Sequence, residues 1–128
     1  TERILVVDDE ASLVKLLKRM LEAQGYEVVG ETNSTKALKL FQKESNNFAL
    51  VITDMAMPKM PGDRLVKELI KINPTLPIIV CTGHSDRMDE YAANELGIKE
   101  YHMKPFVRED LIKAVRRILD DAKGTAQG

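Results

Sequence analysis

The sequence predicts an α/β fold, a five-stranded parallel sheet with helices on both faces, and three observations predict it. Short Val- and Ile-rich runs alternate with helix-spaced apolar stripes along the whole chain. Those runs show little polar alternation, the pattern of strands buried on both sides. The polar residues best suited to chemistry follow the ends of the runs, where open parallel sheets carry their functional crevice. At 128 residues the chain fits one domain, against about 100–200 residues for a typical one.

Each element has its own warrant. The first strand, Arg3–Val7, leads into a helix from about Ala11 to Gln24 that sets Leu13, Leu16, Leu17, Met20 and Leu21 on one face, with Gly25 as its stop signal. A second strand, Glu27–Gly30, precedes a helix over Thr35–Glu44 that Ser34 would cap and that buries Leu38 and Phe41. The third strand, Phe48–Thr53, precedes a helix over Asp63–Ile72, which offers Leu65, Val66, Leu69 and Ile70 and ends before Pro74. A fourth strand, Leu76–Thr82, leads to a thinly apolar helix over Asp86–Leu96, with Met88, Tyr91, Ala92 and Leu96. The fifth strand, Lys99–Met103, is followed by a helix from Val107 to Asp121 with a stripe of Leu111, Ile112, Val115, Ile118 and Leu119. Residues 1–122 are expected to form the domain and 123–128, small and polar, a flexible tail. The start at Thr1 and this tail fit a module cut from a longer protein.

Composition excludes several classes. The formal charge of −1 leaves no basic excess for a non-specific nucleic-acid footprint, so no direct nucleic-acid partner is expected. Cys81 is the single cysteine, which rules out an internal disulfide or a cysteine-rich metal site and suits a reducing, cytoplasmic setting. It is expected to be an inert buried thiol. No run approaches the ~18 apolar residues of a membrane span, so no membrane partner is expected. No phosphate-cradling Gly-rich motif occurs.

The residues at the strand ends carry the chemistry. The first strand runs into Asp8, Asp9 and Glu10, the third into Asp54, the fourth ends at Thr82, and Lys104 follows the fifth. Singly, each has an ordinary reading: an Asp after a strand caps a helix or closes a turn, a lysine is solvated, a threonine fills a strand. Together they imply more. Carboxylates converging within ~5 Å repel by about 3 kcal/mol per pair at an effective dielectric of ~20, so such a cluster calls for a cation. Hard oxygen donors suit Mg²⁺, and Asp54 could keep an oxygen free as a nucleophile, aspartyl phosphates being an established covalent intermediate. Three carboxylates, one divalent ion and Lys104 sum to zero charge. Phosphorylation of Asp54 would leave the site near −1, so retention of the phosphoryl depends on the metal and Lys104 together.

This combination resembles the receiver domain of two-component response regulators over nearly the whole chain, from Arg3 to about Asp121. The resemblance rests on Asp8-Asp9, Thr53-Asp54-Met55-Ala56-Met57-Pro58 with Gly62 following, Thr82-Gly83, and Tyr101-His102-Met103-Lys104-Pro105. It implies a flavodoxin-like doubly wound sheet with strand order 2-1-3-4-5, the order the chemotaxis receiver exemplifies. It also implies that Asp54 accepts a phosphoryl group from a phosphohistidine. Asp8, Asp9, Asp54 and the backbone carbonyl of Ala56 would hold Mg²⁺, with Mn²⁺ as a substitute, and Lys104 would pair with a phosphoryl oxygen. Thr82 and Tyr101 would form the switch, the hydroxyl moving toward the phosphoryl and the ring turning into the space vacated. The altered surface would comprise the predicted helix over 86–96, the fifth strand and the last helix. The implied partners are a sensor histidine kinase or histidine phosphotransfer protein, and a downstream protein or attached output domain. The stretch Thr53–Asp86 looks most like receivers attached to hybrid sensor kinases.

Some details depart from the commonest pattern. Gly83 follows the switch threonine where Ala is usual, and apolar Ala56 cannot orient a water, which implies slow loss of the phosphoryl. His84 is read as a solvent-facing loop residue and His102 as a surface residue beside the switch. Met55, Met57 and Met60 are read as packing residues of the loop. Other classes explain less. A haloacid-dehalogenase-like phosphohydrolase expects Asp-x-Asp after its first strand and room for a cap. A flavin module would set an anionic phosphate among carboxylates. A phosphorylation-independent adaptor leaves the acids and Lys104 without a role. The domain is therefore expected to assist only its own phosphorylation and dephosphorylation, and not to be an enzyme.

Overall fold

A computed structural model describes residues 2–44, 47–55, 57, 60, 62–82, 98–103 and 107–127, with backbone alone at 82, 101, 103 and 123–127. Its elements are β1 (Arg3–Val7), α1 (Ala11–Glu22), β2 (Glu27–Glu31), α2 (Ser34–Glu44), β3 (Leu50–Asp54), α3 (Gly62–Ile72), β4 (Ile78–Thr82), β5 (Glu100–Met103) and a C-terminal helix, α4 (Arg108–Gln127). The five strands form one sheet in the order β2-β1-β3-β4-β5, every pairing parallel. The expected helix over 86–96 lies outside the described residues.

Strand alternation divides the core into two layers. Ile4 and Val6, Leu50 and Ile52, and Ile79 and Cys81 meet Leu17, Leu21, Leu111 and Val115 of α1 and α4. Leu5 and Val7, Val51, and Ile78 and Val80 meet Phe41 of α2 and Leu65, Val66 and Leu69 of α3. Burying one such side chain stabilises by about 1.5–3 kcal/mol, so the central strands anchor the core among the described residues. Cys81 is buried and outside any disulfide, as expected. At the other end of the sheet, Arg116 of α4 donates to Glu2 at 2.9 Å, Asp120 at 2.8 Å and the Tyr26 hydroxyl at 3.2 Å. These partners, Glu2 foremost, hold its guanidinium protonated above its already high range.

Several boundaries differ from the sequence reading, each for a local reason. α1 ends at Glu22 rather than Gln24; Gly25, at φ +97°, then turns the chain while the Tyr26 amide returns to the Leu21 carbonyl. Leu16 is 54 % exposed: Val14, Leu17, Met20 and Leu21 form the buried stripe, and Leu16, about 100° round the helix from Leu17, falls at its margin. Ser34 does not cap α2. It is the first helical residue, and Asn33 Oδ1 accepts the Lys36 amide at 3.0 Å. β4 begins at Ile78 because Pro77 has no amide to donate. The tail assigned to 123–128 is helical as far as Gln127: Ala122, Lys123 and Ala126 favour helix, and one Gly costs only about 1 kcal/mol. Among the described residues, no helix is long and apolar enough to cross a membrane.

Candidate functional site

The sheet register builds the site. Val7 of β1 pairs with Thr53 of β3, so the next residues, Asp8 and Asp54, leave neighbouring strands side by side at a spacing of about 4.8 Å. Both are buried, at 2 % and 5 % exposure, and Asp9 beside them is exposed. One carboxylate oxygen from each of Asp8, Asp9 and Asp54 lies within 4.8 Å of the other two.

Local hydrogen bonds hold these groups. Asp8 donates its amide to the Glu31 carbonyl at 3.2 Å, and its Oδ1 accepts the Glu10 amide at 2.9 Å, an Asx turn that leads directly into α1. The ordinary reading of an Asp after a strand is thus also true of Asp8: one oxygen closes the turn while the carboxylate joins the cluster. Asp54 ends β3, in register with Cys81, and the Met55 amide bonds to the Cys81 carbonyl at 3.3 Å. The Thr53 hydroxyl donates to the Asp54 carbonyl at 3.1 Å. Gly62, the first residue of α3, donates its amide to the Met55 carbonyl at 2.8 Å. Met57 is buried, and Met55 and Met60 pack against the layer beneath α2 and α3, so the methionines are packing residues, as read from the sequence.

The donor set fits a small hard cation. At metal–oxygen distances of about 2.0–2.1 Å, octahedral donors stand about 3 Å apart when adjacent and about 4 Å when opposite. A spread of at most 4.8 Å closes onto such an ion with shifts of less than about 1 Å. The carboxylates are oxygen ligands of the kind Mg²⁺ takes and soft metals do not.

The other residues singled out from the sequence fare differently. Ala56 and Lys104 lie outside the described residues, as do Gly83 and His84. Thr82 and Tyr101 are described in backbone alone, Thr82 as the last residue of β4 opposite Met103 and Tyr101 opposite Val80. His102 is half-buried rather than freely exposed. It is 15 % exposed, its Nε2 lies 3.0 Å from Glu100 Oε1, and Arg117 of α4 reaches the same carboxylate. Position two beyond Glu100 on a strand puts both on one face, so α4 covers them. Sequence reasoning missed Gly62 as more than a motif residue.

Comparison with known proteins defines the class. Residues 4–116 match the family model described as the response regulator receiver domain, and the chain belongs to that family. It is therefore a receiver domain with a phosphoacceptor signalling role rather than an enzyme, in a flavodoxin-like fold. Among its relatives is the probable transcriptional regulator ycf27 of Porphyridium aerugineum, 39 % identical over 118 residues, covering 92 % of this chain and 48 % of the relative. The alkaline phosphatase synthesis transcriptional regulatory protein PhoP of Bacillus subtilis is 35 % identical over the same shares. The chain spans about half the length of these curated relatives. A solved response regulator receiver domain protein from Clostridium thermocellum superposes with a TM-score of 0.91 at 36 % identity, over 96 % of this chain and 98 % of that one. A CheY-like receiver domain protein from Methanospirillum hungatei gives 0.87 at 30 % identity, over 97 % and 98 %.

Proposed function

We propose that the chain is a phosphorylation-operated switch in which Asp54 takes a phosphoryl group from a phosphohistidine of a sensor histidine kinase or histidine phosphotransfer protein. One observation carries this reading: in a chain of the receiver family, Asp8, Asp9 and Asp54 converge within 4.8 Å at adjacent strand ends. An oxygen of the ionised Asp54 carboxylate attacks phosphorus. The P–O bond forms as the P–N bond breaks, and the imidazole nitrogen leaves with the bonding pair. Little acid–base work is needed; positioning and charge neutralisation supply the rate.

Asp8, Asp9, Asp54 and the Ala56 carbonyl would hold Mg²⁺, or Mn²⁺ in its place, and the bound ion would neutralise the phosphoryl oxygens as a Lewis acid. Lys104 adds a compact positive charge to one phosphoryl oxygen, and the Thr82 hydroxyl donates to another. Movement of Thr82 frees space for the Tyr101 ring, which shifts the balance between two pre-existing conformations. The surface of segment 86–96, β5 and α4 then signals to a downstream protein or an attached output domain. Residues 1–122 are the receiver unit in this reading, and it works in the cytoplasm without contacting nucleic acid or membrane itself.

The test is the intact mass of wild type and Asp54→Asn after incubation with acetyl phosphate, with Mg²⁺ or with a chelator. A single phosphoryl adduct on the wild type, formed only with Mg²⁺ and absent from Asp54→Asn, is expected. No adduct from acetyl phosphate or from a phosphohistidine donor would favour a binding module that works without phosphorylation.

A further inference from the structure

The end of β3 and the start of α3 are in closer contact than any side chain permits. A Cβ on Gly62 would stand 2.1 Å from the Asp54 carbonyl oxygen, 3.0 Å from its carbonyl carbon and 2.8 Å from Met55 Cα. Every atom it meets is backbone. Real Cβ atoms essentially never approach closer than 3.0 Å, so the 2.1 Å gap must open by about 0.9 Å. The φ of Gly62 is not the reason for glycine, since among the described residues only Gly25 has a positive φ. What the position requires is the absence of a side chain.

Which partner yields follows from the packing. α3 is anchored by Leu65, Val66 and Leu69, all fully buried, and a rigid helix moves only if that layer repacks. β3 is paired with β1 up to Thr53 opposite Val7, and beyond that point Asp54 is in register with Cys81 alone. The Asp54 peptide, at the very end of the strand where the β1 register stops, is therefore the softer partner. A shift there changes where the Asp54 carboxylate stands relative to Asp8 and Asp9, which lie in the turn after β1.

We propose that Gly62 is a positioning residue for the phosphoacceptor. Its lack of a side chain lets the N-terminus of α3 brace the Asp54–Met55 backbone, with the Gly62 amide on the Met55 carbonyl, so that the Asp54 carboxylate is held beside Asp8 and Asp9. This rests on the phosphoryl-transfer reading of Asp54. Displacement of a reacting group by 1 Å can cost about 10²-fold in rate, so a shift of similar size at Asp54 lowers the phosphorylation rate at least tenfold.

Gly30 supplies a matched control. A Cβ there would meet a side chain, Val14 Cγ1, at 2.4 Å, a clash on β2 that also forces a shift but falls on a side-chain methyl rather than backbone and involves none of the three carboxylates. The experiment compares wild type, Gly62→Ala, Gly30→Ala and Asp54→Asn. It measures the first-order rate of phosphorylation by acetyl phosphate at saturating Mg²⁺, and the urea unfolding midpoint of each. Rates are repeated in trimethylamine N-oxide, which favours the compact state and restores a loss due only to unfolding. Expected is a fall of tenfold or more for Gly62→Ala that persists in the osmolyte, and a lowered midpoint with an unchanged osmolyte rate for Gly30→Ala. A Gly62→Ala rate within twofold of wild type, or one that the osmolyte restores, overturns the proposal. A wild type that takes up no phosphoryl group overturns the phosphoryl-transfer reading, and the proposal with it; a phosphorylated wild type with an unaffected Gly62→Ala overturns the positioning role alone.

Discussion

Replacing Asp54 by Asn removes a negative charge from a buried cluster and is expected to make the protein more stable when no divalent ion is present. One oxygen each of Asp8 and Asp54 lies within 4.8 Å of the other, and two unit charges about 5 Å apart repel by about 3.5 kcal/mol at an effective dielectric of ~20. Only the Asp8–Asp54 pair is buried on both sides; repulsion from exposed Asp9 is reduced by solvent and salt. The amide accepts hydrogen bonds less strongly than a carboxylate, which offsets about 1–1.5 kcal/mol. A net gain of about 2 kcal/mol remains. For 128 residues, with an unfolding entropy of about 2.1 cal/mol/K per residue, that raises Tm by about 7 °C. The assay is urea and thermal unfolding of both proteins in a chelator and in Mg²⁺. Mg²⁺ is expected to raise the wild-type midpoint by mass action and to move Asp54→Asn much less, so the gap narrows. A variant less stable than wild type in chelator, or equal Mg²⁺ effects on the two, would refute the reasoning.

Three further outcomes are expected. Asn33→Ala costs about 1 kcal/mol through loss of the bond to the Lys36 amide. Ser34→Ala is neutral or gains up to about 1 kcal/mol, because the buried Ser34 Oγ has no hydrogen-bond partner among the described residues; urea titration separates the two, and the reverse ranking would return the cap to Ser34. The phosphorylated protein, with Ala56 unable to orient a water, is expected to persist for minutes or longer at neutral pH; phosphate release within seconds would contradict that.

Much of the fold was legible because the strands are buried on both faces and their stop signals are chemically distinct. Gly25 ended α1 where a left-handed residue was needed, and unbroken apolar runs such as Ile4–Val7 read as central strands. Boundaries were less legible where neighbouring residues compete. Asn33 and Ser34 are both good caps, and only the chain's path decides between them. Leu76 continues the apolar run of β4, but the missing amide of Pro77 delays its pairing. Leu16 fits a helical stripe whose true centre depends on how α1 lies on the sheet.

The candidate site divides in the same way. Asp8 and Asp54 were legible because they directly follow or end an apolar strand, with Asp9 next to Asp8, and parallel register then brings strand ends together without further information. The partial burial of His102 was not legible because cover on an edge strand depends on the helix that lies over it, here α4 through Arg117 and Glu100. Gly62 was legible as a member of a motif but not as a brace, since its proximity to the Asp54 carbonyl arises from the return path of the chain.

The central claim is that Asp54 is the phosphoacceptor, and borohydride trapping tests it most directly. Reduction of an aspartyl phosphate converts that Asp to homoserine, which peptide mass spectrometry locates. After treatment with acetyl phosphate and Mg²⁺, homoserine at position 54 and at no other carboxylate is the predicted result. Homoserine at position 8 or 9, or a phosphoryl adduct that persists in Asp54→Asn, would contradict the account.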